Sequence, residues 1–255
     1  MTLALPARAK LNLDLTVLGT RADGFHEVRT TLQAIDLHDL LELAPADKTA
    51  LTTSGIEVST TKTQTNSILK AHAALEAAAQ RDLPTRFHLH KRIPPGAGLG
   101  GASSDAAAAL RGLAVLHNLS LDLLPIARSL GADVPFFLAG GTAIAEGIGD
   151  RLTPQPTEPA WYAIAWPGIE LLTADVYRAW DKVKGEPKAT NQLTDAATHA
   201  EPRLAEFAAR LSNSWQMTGS GSAFFLRCIS DEQARGVTAS IDGWTAVTHA
   251  VGPWK

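Results

Sequence analysis

The chain has 255 residues, 45% of them hydrophobic and 19% charged, and a net charge of −3. That is ordinary for a folded globule with room for one large domain or two small ones. It lacks the basic excess of a nucleic-acid binder, and its one cysteine, Cys228, excludes an intramolecular disulfide or a cysteine-built zinc site, which suits a reducing cytoplasm.

MTLALPARAK at the start is not the charged-then-apolar pattern of a secretory signal. The longest uncharged apolar stretch, 134–145, falls short of the roughly 20 residues of a membrane helix, so no membrane partner is expected. Leu11, Leu13, Leu15 and Val17 alternate with Asn12, Asp14 and Thr16, the period of a strand, and Lys10 shares the polar face. Asp23-Gly24 marks a turn, and more strand is expected through Leu32–Leu43. Asn66 is a candidate N-cap for a helix carrying Ile68, His72, Leu75 and Ala79. A strand follows at 86–91, then a glycine-rich loop, an alanine-rich helix, and a helix over 121–130 closed by Gly131.

Three prolines between Thr153 and Pro159 place a domain boundary there, giving units 1–152 and 153–255. Beyond it the pattern predicts strands at 162–166, 224–228 and 245–251 and helices at 202–211 and 232–241. Strands and helices alternate irregularly, which favours α+β over a doubly wound parallel sheet.

The central signal is Pro94-Pro95-Gly96-Ala97-Gly98-Leu99-Gly100-Gly101-Ala102-Ser103-Ser104-Asp105, running straight into a helix. Glycines let amide groups turn toward a ligand, and a helix start adds unpaired N–H donors with partial positive charge. A phosphate cradle follows from that chemistry; a plain turn with a glycine-rich cap is the bland alternative. Walker A requires a Gly-Lys-Ser/Thr ending, which is missing. Gly96, Gly98 and Gly101 fit G-x-G-x-x-G, but the preceding strand is amphipathic and Asp122 begins a helix, against a dinucleotide fold. The downstream motifs of a protein kinase are not found. His88 and His90 share a strand face with no third ligand in view, so zinc is not expected.

With that loop, Ala7–Leu13, Arg21–Glu27, Leu130–Phe137 and Thr218–Ala223 make the sequence resemble the GHMP kinase superfamily, and within it the 4-diphosphocytidyl-2-C-methyl-D-erythritol kinases of the methylerythritol phosphate route to isoprenoids. The five segments span residues 7–223 in family order. The resemblance implies a two-domain α+β fold, with a ribosomal-protein-like N-terminal domain, a ferredoxin-like C-terminal domain and the active site in the cleft between them. It implies transfer of the ATP γ-phosphoryl group to the substrate 2-hydroxyl.

By the same likeness Asp133 and Lys10 match the catalytic pair. Residues Pro94 to Ser104 (Pro94, Pro95, Gly96, Ala97, Gly98, Leu99, Gly100, Gly101, Ala102, Ser103 and Ser104) and Asn66 match the ATP site. Asn12, Phe25, His26 and Tyr177 match the substrate site, with the cytosine stacked on Phe25 and read by His26. Ser103 or Ser104, the latter preferred, is the expected Mg²⁺ contact. From the residues alone, Asp133 reads first as a turn residue before Val134-Pro135 and Lys10 as a solvated strand lysine; the resemblance reverses that order. The partners implied are small molecules, ATP and a cytidine diphosphate sugar-alcohol, and a homodimer is left open.

Three departures stand out. Ala102 replaces a usual glycine, so residue 102 is expected at negative φ. Phe25 replaces a tyrosine, and Asn191-Gln192-Leu193-Thr194 replaces a more acidic segment.

Overall fold

The computed structural model of the protein describes residues 2–56 and 66–254. Its first sheet has seven strands. At its centre is β3 (His26–Pro45), 20 residues long. β1 (Leu3–Asn12) and β2 (Thr16–Thr20) pair antiparallel with β3, as do β5 (Thr85–Lys91) and β6 (Thr142–Gly147). β4 (Ala50–Gly55) runs parallel to β5, and β7 (Arg151–Gln155) closes the other edge against β6.

Four helices cover one face. They are α1 (Ser67–Ala79), α2 (Gly101–Leu116), α3 (Leu123–Leu130) and α4 (Val134–Ala139). Asn66 caps α1 by accepting from the Ile68 amide at 2.8 Å, and Asp122 caps α3 by accepting from Leu124. Residues Ala106–Leu110 of α2 are all buried. A Cβ at Gly112 would come within 2.7 Å of Leu5 and 2.9 Å of Leu43, so the missing side chain seats α2 close on the sheet. That close seat sets where the glycine-rich loop at the start of α2 must lie.

The second sheet has the order β11-β8-β10-β9, all antiparallel. Its strands are β8 (Trp161–Trp166), β9 (Gln216–Met217), β10 (Phe224–Cys228) and β11 (Trp244–His249). α5 (Thr173–Val183), α6 (Thr194–Ala200), α7 (Arg203–Ala208) and α8 (Asp231–Thr238) pack around it. The expected α+β architecture, two sheets with helices, is what the structure has. The lobes meet through an apolar layer in which Ala9, Leu11, Ile35, Ile93 and Leu99 face Tyr162, Ile164, Ala223 and Phe225. Burial of each leucine, isoleucine and phenylalanine among them stabilises by roughly 1.5–3 kcal/mol, so the cleft is set by a packed seam.

Local differences from the sequence expectations have physical reasons. The strand expected through Val17 breaks after Asn12, because the Leu15 amide turns away to bond Thr190 O at 2.8 Å. The helix expected from 121 begins at 123, after its Asp122 cap. That expected over 202–211 is α7, shorter at both ends. Residues 153–155, read as the start of the aperiodic boundary, belong to β7 of the first sheet, with Pro154 on an edge strand where a missing N–H costs little. Val251 to Trp254 return to the first lobe, where Val251 donates to Ala34 O and Trp254 to Ala139 O, each at 3.0 Å.

Candidate active site

The loop between β5 and α2 curls because its alternate residues are left-handed. Gly98 sits at φ +76° and Gly100 at φ +74°. A Cβ at Gly98 would lie 2.3 Å from Thr218 O, so only glycine permits this approach to the second lobe. Ala223 N donates to Ala97 O at 3.0 Å and Leu171 N to Gly96 O at 3.0 Å, docking the loop from the other side. Gly100 ends the loop without a side-chain cap on α2, and the first helical bond is Ser104 N to Gly100 O. The amides of residues 101–103 therefore have no intrahelical acceptor and supply the positive end of a 16-residue helix. Ala102 lies inside that helix and is not among the positive-φ residues, as expected.

Lys10 reaches the loop from β1. Its Nζ donates to Gly98 O at 2.7 Å and to Asn12 Oδ1 in a short contact, and its main-chain N donates to Leu99 O at 3.0 Å. Asn12 is fixed in turn: its Nδ2 donates to Thr30 Oγ1 at 2.8 Å and its N to Thr218 Oγ1 at 2.9 Å. The polar face of β1 is thus buried and organised, with Lys10 4% exposed. Burial pulls the Lys10 ammonium below its ordinary value, and the Asp133 charge opposes that pull.

Asp133 sits just ahead of α4, and its side chain makes no capping bond to the helix. Its charge reaches the facing lobe as well. Tyr177 of α5 is pushed up to about 12, first by burial and then by Asp133, so its hydroxyl keeps its proton. One cavity of about 950 Å³ gathers Lys10, Asn12, Asn66, Asp133, Tyr177 and loop residues Pro94–Ser103 along its walls. Ser103 lines it; Ser104 is 2% exposed and does not. Phe25 lies outside that wall in the turn before β3, 58% exposed. His26 is also off the wall, but its ring stacks on Tyr177 at 4.7 Å and 22° and its Nε2 pairs with Asp181 Oδ1 at 2.9 Å.

Several residues on this site were not singled out from sequence. Lys91 Nζ bridges Asp39 Oδ2, in a short contact, and Asp105 Oδ2 at 3.0 Å, under the start of α2. Burial, then the Asp39 charge, pushes Asp105 up to about 7 against the pull of Lys91. Asp105 ends the quoted loop and Lys91 ends an amphipathic strand, so both had a signal; Asp39 lies among other polar residues, Asp36, His38 and Glu42, and nothing local sets it apart. Asn191 proves to be a brace: its Nδ2 donates to Met217 O and Gly219 O, both at 2.8 Å, holding the turn on which the loop docks.

The GHMP kinases N-terminal domain model matches residues 66–141. The 4-diphosphocytidyl-2-C-methyl-D-erythritol kinase of Caldicellulosiruptor saccharolyticus is 40% identical over 224 residues, 82% of this chain and 73% of that one. The chain belongs to the 4-diphosphocytidyl-2-C-methyl-D-erythritol kinase family. The Thermus thermophilus kinase of the same name is 36% identical, covering 93% of this chain and 92% of its own. A crystal structure of 4-(cytidine 5'-diphospho)-2C-methyl-D-erythritol kinase superposes with a TM-score of 0.81 at 33% identity, over 98% of this chain and all of that one. Methanococcus jannaschii mevalonate kinase, at 13% identity and a TM-score of 0.68, shares the fold.

Proposed function

We propose that the protein transfers the γ-phosphoryl group of ATP to the 2-hydroxyl of 4-diphosphocytidyl-2-C-methyl-D-erythritol. The observation that carries this is the convergence on one cavity of Lys10, Asp133 and an uncapped helix start behind a glycine loop. Such a transfer has a loose transition state, so catalysis is largely positioning and charge. The amides at 101–103 hold the ATP phosphates. Lys10, fixed by Gly98 O and Asn12, places its cation against the charge that builds on the transferred group. Asp133 orients the hydroxyl and accepts its proton late, as the new P–O bond forms and the bond to ADP breaks.

The two lobes share the base site, His26 and Phe25 coming from the first and Tyr177 from the second. His26 and Tyr177 offer an aromatic surface beside Asp133 for the cytosine, and Phe25 stands ready at the adjoining turn to cover it. Homoserine or mevalonate would leave that surface unused.

Mg²⁺ fits this donor set as an ion carried by the nucleotide. The Ser103 hydroxyl lines the cavity at the helix start, and among the described residues no group of three or more His, Cys, Asp or Glu could cage a metal. Bound there, the metal supplies charge neutralisation of the phosphates. The single cysteine and ATP dependence favour the cytoplasm as the site of reaction.

The test is ATP consumption with the diphosphocytidyl substrate against homoserine and mevalonate. Turnover with the first alone is expected; turnover only with another acceptor would overturn the assignment.

A further inference from the structure

α4 has six residues and carries Asp133 at its entrance. A helix that short cannot hold its own direction through internal bonds, since its last four carbonyls have no partner within it. Two of those carbonyls are taken by one distant residue. Trp254 donates from Nε1 to Phe137 O at 2.8 Å and from its main-chain N to Ala139 O at 3.0 Å. Pro253 pairs across to Gly140 beside it.

The same indole is gripped from two other elements. The guanidinium of Arg8, on β1, lies 4.1 Å from the ring centroid, and that of Arg111, on α2, lies 4.0 Å from it. Among the described residues neither arginine has a carboxylate within ion-pair distance, and Arg8 Nε is buried without a hydrogen-bond partner. Burial lowers the pKa of both, and for Arg111 the charge of Arg8 adds to it. Two half-buried cations lie side by side here; the Asp36 charge offsets part of the cost at Arg8, and the π face of tryptophan offers both a compensating surface.

β1 carries Lys10, α2 begins at the glycine loop, and α4 begins at Asp133. We propose that Trp254 is a positioning residue for phosphoryl transfer, tying these three elements into one frame from outside the cavity. The route from Trp254 to the chemistry is short. Phe137, whose carbonyl Trp254 holds, has its ring against Gly100: a Cβ there would meet Phe137 Cζ at 2.6 Å and Lys10 Cγ at 3.1 Å. A tilt of α4 therefore moves Asp133 relative to Lys10. The loop itself is docked independently on Thr218 and Ala223, so nucleotide binding survives such a tilt.

The inference rests on the functional reading above. Wild-type turnover tests that reading, while the ratio of variant to wild type tests this one. Trp254→Ala, assayed as the full chain, is expected to lose kcat on the order of ten- to a hundredfold, as misplacement by about 1 Å does. Its KM for ATP and its ADP affinity should stay within about twofold of wild type. Leu204→Ala, in the core of the other lobe and fully buried, serves as a control for stability: it should lower the melting temperature and keep kcat. Trp254→Phe keeps a ring for the arginines and loses the Nε1 donor, and should fall between wild type and Trp254→Ala. Wild-type kcat in folded Trp254→Ala, or an equal loss in Leu204→Ala, would overturn the proposal. If Trp254→Ala does not fold, wild-type kcat in Trp254→Phe overturns it.

Discussion

The Lys10 ammonium donates to the main-chain carbonyl of Gly98 across 2.7 Å, so the cation that lines the cavity is also a strut of the glycine loop. Lys10→Met removes both at once and leaves Gly98 O without that donor. A kcat loss of about 10²–10³ is expected, together with weaker ADP binding, both measurable on purified protein. Because burial lowers the Lys10 pKa from 10.5, the charge is lost at a lower pH than for a free lysine. Log kcat should therefore bend downward on the alkaline side below pH 10.5. A flat profile to that pH would remove the Lys10 charge from the rate.

The Asp133 side chain makes no capping hydrogen bond to α4, so Asp133→Asn should leave the helix intact. The amide still orients the hydroxyl but no longer accepts its proton. Turnover should fall by about 10²–10⁴, with ATP affinity and melting temperature near wild type. Wild-type turnover would take Asp133 out of the mechanism.

Gly98→Ala tests the docking of loop on lobe. At φ +76°, with Thr218 O 2.3 Å from the new Cβ, alanine is both strained and blocked. Destabilisation of about 1–3 kcal/mol is expected. The strain is relieved by lifting the loop, so the KM for ATP should rise by about tenfold, which corresponds to 1.4 kcal/mol. Thermal melting and initial rates check the two effects separately.

Asp105 gives a pH signature. Its folded pKa, about 7, lies above the ordinary 3.8, so the native state holds this proton more tightly than the unfolded chain. The group's contribution to stability is fully present below pH 3.8 and is lost as pH rises toward 7. Asp105→Asn removes that loss and leaves Lys91 paired with Asp39. The stability of the variant relative to wild type should climb from pH 5 to pH 8. A constant difference in chemical denaturation across that range would contradict the assignment.

The parts legible in the sequence were those fixed by local chemistry. The Asn66 cap, the glycine loop running straight into a helix and the strand at Phe224–Cys228 all stand where period and punctuation placed them. The α4 helix was hidden because Asp-Val-Pro at its start reads as a turn, and six residues are too few to show a period. Lys10 and Asn12 lay on an alternating polar face that composition makes look solvated. Only the closing of the second lobe over β1, through Thr218, buries it. Asp39 and Trp254 carried no local signal, since each matters through partners far away in the chain.

The turn at 218–223 has a temporal consequence. During synthesis the glycine segment leaves the ribosome more than a hundred residues before the turn that floors it. Until that turn emerges, Gly98 has nothing to rest on and Asn12 lacks the Thr218 hydroxyl. A nascent or truncated chain ending between the lobes would keep the apolar core of its first sheet while its glycine segment still lacked the seat that Thr218 and Ala223 give it, so the last step in shaping the cradle waits for the far end of the chain.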